Sequence, residues 1–165
     1  MSRKKKPHTK AQAYTYNWAH VLMASPTEPM PEATRTHHLS KIWQALASIE
    51  AAPHPTNEDW RLCSDAVNYM ETLVRGGVCQ DASGLITDAI EALALAFKRS
   101  LQAGGTIRLS GQGIQIVRAV LEDYARVLET IPNRQAVLTH MKTERRVREY
   151  LTGKRRPPDV ELIAA

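Results

Sequence analysis

Cysteine is scarce: Cys63 and Cys79 are the only two in 165 residues. Small oxidised scaffolds depend on several bridges, so a disulfide-built secreted domain is excluded. Aromatic residues make up only 5% of the chain, with a single phenylalanine, Phe97. No stretch reaches the roughly 18 apolar residues of a membrane helix. The most apolar window, residues 84–97, is broken by Asp88 and Glu91. No repeat with a period of roughly 20–50 residues is visible, and strand-like alternation is confined to a few positions around residues 106–109. Ser2 is followed by a basic run that resembles the charged start of a secretory signal, but residues 7–17 supply no apolar segment. A reduced, cytoplasmic setting is the expectation, with nuclear import through that run as the eukaryotic variant.

What is present is ordinary in amount and uneven in distribution. Hydrophobic residues are 43% and charged residues 24%, as in soluble globular proteins. The length suits one domain able to bury roughly 70% of its unfolded surface. The net charge is +5 and the isoelectric point about 9.4. Arg3, Lys4, Lys5, Lys6 and Lys10 face no acid in the first ten residues. Residues 134–156 hold eight basic side chains against Glu144 and Glu149, whereas residues 11–133 hold nine basic and thirteen acidic ones. A mildly acidic body thus carries two basic ends. Such asymmetry is the electrostatic footprint of a partner that is a polyanion, either nucleic acid or an acidic protein surface. A membrane surface fits poorly, because neither basic segment has a strongly apolar face beside it.

Periodicity predicts an all-α fold, a bundle of four to five antiparallel helices with short loops. Residues 1–34 read as a basic, partly irregular N-terminal arm, residues 35–153 as the helical bundle, and residues 154–165 as a basic, proline-containing C-terminal tail. Pro26, Pro29 and Pro31 forbid a helix in the connector ahead of the bundle. Tyr14, Tyr16, Trp18, Val21 and Leu22 are too apolar for a linker, and are expected to dock on the body as a short helix or an extended arm. Leu39, Ile42, Trp43, Leu46 and Ile49 mark the first bundle helix, ending before Pro53. Thr56 caps the second, with Trp60, Cys63, Val67, Met70 and Val74 on its stripe and Gly76 and Gly77 at its close. Asp81 or Ser83 opens the third, which ends at Gly104 and Gly105. Ser110 caps the fourth, whose wide stripe from Ile114 to Ile131 predicts the central helix. Pro132 starts a fifth that reaches Leu151.

Chemistry-bearing motifs are sparse. The glycine-rich run at residues 104–113 precedes a helix, where backbone amides can hold an anion, but its spacing matches no nucleotide-binding fingerprint. His37 and His38 diverge by about 100° on a helix, and Cys63 and Cys79 lack a CxxC or HxxxH partner. No metal and no cofactor is expected. No nucleophile, base and anion donor occur together, so no catalytic residue is assigned and the chain is read as non-enzymatic. On the last helix, Lys142, Arg145, Arg146 and Arg148 form a basic ridge suited to phosphate or carboxylate. The competing reading is a solvated face in which Glu144–Arg148 and Arg145–Glu149 are ordinary i,i+4 pairs, leaving Lys142 and Arg146 available.

Trp43 and Trp60 lie on apolar stripes and belong to the core, whereas Trp18 in the arm is a candidate contact surface for a protein or for bases. The expected binding residues are therefore Arg3, Lys4, Lys5, Lys6, Trp18, Lys142, Arg145, Arg146, Arg148, Lys154, Arg155 and Arg156. The expected function is contact with nucleic acid or a nucleoprotein complex. The alternative is a protein-binding inhibitor or adaptor, such as a phage or mobile-element accessory protein of the anti-CRISPR kind. A third possibility is a small helical enzyme whose site is assembled from several helices. Homodimerisation is a further expectation, because the wide fourth stripe exceeds what one bundle buries.

Overall fold

Helix breaks fall where proline, glycine and capping side chains put them. A computed structural model describes residues 14–153 as six helices: α1 (Trp18–Met23), α2 (Glu32–Ala51), α3 (Asn57–Arg75), α4 (Leu85–Ala103), α5 (Gly111–Thr130) and α6 (Asn133–Leu151). Among the described residues there is no strand. The described residues form an all-helical fold; α1, within the arm, is the element beyond the five bundle helices. α2 begins at Glu32, directly after Pro31, three residues ahead of the boundary expected at 35.

Local chemistry explains the helix starts. Thr56 and Asp59 form a reciprocal capping box: Asp59 N–H donates to Thr56 Oγ1 at 3.2 Å, and Thr56 N–H donates to Asp59 Oδ2 at 2.7 Å. Ser110 Oγ accepts from Gly113 N–H at 3.0 Å and starts α5. Between Asp81 and Ser83, Asp81 is the residue that serves α4. Its carboxylate accepts from Ile86 and Thr87 amides at 3.2 and 3.3 Å, across the left-handed Gly84 (φ 72°). α6 begins differently, with Pro132 and no side-chain cap. Its first amides donate to the arm instead, Asn133 N–H to Glu28 O at 2.7 Å and Arg134 N–H to Ser25 O at 2.9 Å.

The core lies between α2, α3, α4 and α5, with Cys63, Val67, Ala89, Leu93, Val117 and Val120 wholly out of solvent. Trp60 stacks on Phe97 with ring centroids 5.0 Å apart, and its indole N–H donates to Leu93 O at 3.1 Å. Trp43 is only half-buried, packed against the edge of the core. The central helix is α3, which packs against α2, α4, α5 and α6; α5, predicted to be central, packs chiefly against α2, α3 and α4. The reason is that α3 buries polar residues as well: Ser64, Asn68, Glu71 and Thr72 are all buried. Those residues hide its second buried face from a hydrophobicity reading. On α5, by contrast, Ile114, Ile116 and Val127 stay partly exposed.

The helices are not uniformly antiparallel. Tyr69 meets Ala136, Thr72 meets Thr143 and Glu71 meets Arg146, so α3 and α6 run in the same direction. The glycine-rich connection between α4 and α5 is structural. Ile107 and Leu109 enter the core, and Arg108 donates to the carbonyls of Ala52 and Pro53 at 2.8 and 2.7 Å, where α2 ends.

Candidate functional site

The basic last helix expected from the sequence is α6, and its residues sort onto three faces. The first face packs on α3. Thr143 Oγ1 donates to Thr72 Oγ1 at 2.8 Å, and Arg146 Nη1 donates to the same oxygen at 2.7 Å. Arg146 Nη2 pairs with Glu71 Oε2 at 2.8 Å, while Glu71 Oε1 takes Arg75 at 2.8 Å. The Arg146 and Glu71 side chains are 12% and 10% exposed. Arg146 is committed to the fold, against the expectation that it remains for a ligand. A buried carboxylate between two guanidiniums needs both its partners, and the guanidinium equally needs the carboxylate.

The second face carries the arm. Glu144 accepts from the backbone N–H of Thr15 at 3.1 Å and from its hydroxyl. Tyr16 packs edge-on to His140 with ring centroids 5.0 Å apart. His140 Nε2 lies 3.8 Å from Glu144 Oε1. Val21 and Ala24 form a small second cluster with Val137, and Arg134 Nε donates to the Val21 and Ala24 carbonyls at 3.2 Å each. At the far end, the Arg148 guanidinium sits 3.6 Å above the Tyr14 ring. The arm therefore runs antiparallel to α6, from Tyr14 at the helix's C-terminal end back to Glu28 at its start.

Behind this face lies a polar seam. His38 Nε2 and the Tyr124 hydroxyl are 2.7 Å apart, and Tyr69 packs edge-on to Tyr124. Burial lowers the pKa of both His38 and His140; neighbouring His140, Lys41 and His37 add to the first shift, and Glu144 opposes the second. Burial and the Glu144 charge raise the Tyr16 phenol.

The third face of α6 is open to solvent and borders a cleft of about 410 Å³ between α6 and the end of α3. Arg75, Gln135, Lys142, Arg145 and Glu149 line it, with Arg146 at its floor. Arg145 is 75% exposed and makes the expected pair with Glu149 at 2.8 Å. Among the described residues Lys142 has no charged or hydrogen-bonding partner. Because α3 and α6 are parallel, their C-termini finish side by side, each with a basic residue in its last turn, Arg75 and Arg148. Part of this positive charge answers two helix dipoles; Lys142 and Arg145, one to two turns earlier, exceed that need.

Arg3, Lys4, Lys5, Lys6, Lys154, Arg155 and Arg156 lie outside the described residues. Their points of attachment do not. Tyr14 rests on Arg148, and Gly153 follows α6 directly. Both basic terminal segments are thus joined to the body at the end that holds the cleft. Trp18 stands on α1 at 67% exposure, with Leu22 and Met23 also exposed beside it. Sequence reasoning missed Arg75 and Arg134, and named Tyr14 in the arm without its contact on Arg148. Arg75 carried a legible signal, a cation immediately before the Gly76–Gly77 helix stop. Arg134 acts only through the arm's position along α6.

Among the described residues no three His, Cys, Asp or Glu side chains converge as a metal site, and no helix is long and apolar enough to cross a membrane. Burial pushes the Cys63 thiol up to about 12 and raises Cys79 as well, so both are poor nucleophiles. Comparison with protein families, with curated proteins and with solved structures finds no match to this chain.

Proposed function

We propose that this chain is a non-enzymatic interaction protein that contacts nucleic acid, alone or within a nucleoprotein complex. The contact is made by the end of the molecule where α3 and α6 finish. The observation that carries this reading is the convergence of charge there. Lys142, without a partner among the described residues, and a largely exposed Arg145 border an open cleft with Arg75, and the two basic terminal segments attach at the same end. Solvent-exposed cations along an open strip are what phosphate contacts require.

The test is binding of the full chain to nucleic acids across a salt series. Engagement of about eight phosphates on a duplex corresponds to a log–log slope of about −7. A double Lys142→Ala, Arg145→Ala variant is expected to weaken binding and to flatten the slope by about 2. Deletion of residues 2–10 reports the arm's share separately. A slope near zero, or no binding at low salt, overturns the reading and leaves the protein-binding inhibitor or adaptor in its place.

A further inference from the structure

We propose that the ligand of this basic end is single-stranded nucleic acid, with bases stacking on Tyr14 and Trp18 of the docked arm while Lys142 and Arg145 hold the adjoining phosphates. The inference rests on the polyanion reading above and narrows it to one kind of strand. Three observations lead there, and each concerns shape rather than charge.

The first is the Tyr14 ring. One of its faces carries the Arg148 guanidinium at 3.6 Å, and the residue is still 48% exposed. A base laid on the remaining face continues a cation–aromatic–base stack, which any base can join because each has a π face.

The second is Trp18, four residues along the same arm and the most exposed of the three tryptophans. Its neighbours in sequence hold the arm down through Glu144, His140, Val137 and Arg134, so the indole is presented on an anchored support. Four residues span at most about 14 Å, roughly four nucleotides at the 3.4 Å stacked rise. Two aromatic platforms no farther apart than that suit one continuous strand.

The third is the setting of α6. A helix that reads a duplex enters a major groove only about 12 Å wide. α6 is flanked by α3 on one side and by the arm on the other, which leaves a strip of floor between two walls. A flexible strand can lie on such a floor and turn its bases to the aromatic wall. In a duplex, those base faces are occupied by their stacked neighbours.

The experiment titrates the full chain with a twelve-residue oligo(dT), with oligo(rU) of the same length and with the dT·dA duplex. Affinity and tryptophan emission are followed at two or more salt concentrations. Single strands are expected to bind more tightly than the duplex and to quench emission. Trp18→Ala should abolish most of the quenching and weaken single-strand binding by about tenfold, within the range of base–aromatic stacking, with the melting temperature unchanged because Trp18 packs on little. Tyr14→Ala should act in the same direction. A preference for oligo(dT) or for oligo(rU) tells which sugar the strip accommodates. Duplex binding that equals or exceeds single-strand binding and ignores Trp18→Ala overturns this inference but leaves the polyanion reading standing. No binding by any of the three at low salt overturns both, and assigns the exposed Trp18, Leu22 and Met23 to a protein partner.

Discussion

Arg146 and Glu71 join α6 to α3 through a 2.8 Å ion pair that is almost closed to solvent. The pair is reinforced by the bond from Arg146 to Thr72 and by the bond from Thr143 to the same hydroxyl. Cutting Arg146 leaves the Glu71 carboxylate buried with Arg75 as its remaining cation, so the loss lies at the low end of about 3–5 kcal/mol. Arg146→Ala is therefore expected to lower the melting temperature by about 10 °C, using roughly 2–4 °C per kcal/mol for a domain of this size. Arg146→Met with Glu71→Gln removes both charges while keeping most of the volume, and should recover much of that loss. Thermal unfolding followed by circular dichroism checks both variants. Equal destabilisation by the single and the double change would show that packing, rather than the ion pair, holds the two helices together.

This pair also marks where a reading of residues stops short. The helix starts at Thr56 and Ser110, the stops at Gly76 and Gly104 and the core roles of Trp60 and Cys63 were legible, because capping and apolar period are local signals. The parallel pairing of α3 with α6 was not. More than fifty residues separate the two helices, and nothing local specifies their relative direction. The cleft exists only because of that direction, so Lys142 and Arg145 could be named together while the placement of Arg75 beside them could not. The centrality of α3 was hidden for a related reason: Ser64, Asn68, Glu71 and Thr72 read as solvent-facing until tertiary partners satisfy them. Helix α5 misled in the opposite way, since an apolar stripe reports what a helix is able to bury rather than what its neighbours cover.

Surface position separates Lys142 and Arg145 from Arg146. Neither exposed side chain supports the core, so Lys142→Ala and Arg145→Ala should each change stability by no more than about 0.5 kcal/mol. Loss of the exposed Arg145–Glu149 pair falls within the same range. Denaturant titration measures this directly. A large drop for either variant would mean that the cleft residues brace α6, and would undercut their use as ligand contacts.

The arm should behave as a separately removable unit. α1 touches the body through the Val21–Ala24–Val137 cluster, which is distinct from the main core, and Arg134 ties down two of its carbonyls. Arg134→Ala with Glu144→Ala removes those ties and the Thr15 contact while leaving the α2–α5 core intact. Amide hydrogen exchange across residues 15–24 is expected to accelerate by at least tenfold, with exchange in α3 and α4 little changed. Uniform acceleration through the whole chain would show that the arm and bundle unfold together.

Acid should weaken the fold through two half-buried imidazoles. His38 and His140 both have pKa values lowered by burial, so the unfolded chain binds protons that the native state resists. Stability then rises with pH wherever the unfolded state holds more protons. The contribution is fully present above the unfolded value of about 6.5 and is lost as pH falls from there through the folded pKa values. The melting temperature should accordingly drop between pH 7.5 and pH 6, and His38→Gln should reduce that drop while preserving an acceptor or donor for the Tyr124 hydroxyl. An unchanged pH dependence in His38→Gln would assign the acid sensitivity to other groups.

Thiol reactivity gives a direct test of the core around α3. The Cys63 thiol is completely buried and has its pKa pushed up to about 12, chiefly by burial and further by the nearby Asp59 charge. Cys79 lies just past the end of α3, is only partly buried, and has its pKa raised by burial and by Asp81 and Asp123. Both factors that govern thiol modification, access and thiolate fraction, therefore favour Cys79. Treatment of the native protein with a maleimide or an aromatic disulfide should label Cys79 first, with one equivalent taken up well before the second. Cys63 should react only on the timescale of unfolding and should become as reactive as Cys79 in denaturant. Rapid native labelling of both thiols would mean that the contacts of Cys63 with its packed surroundings open far more often than a core held by Trp60, Phe97 and Leu93 allows.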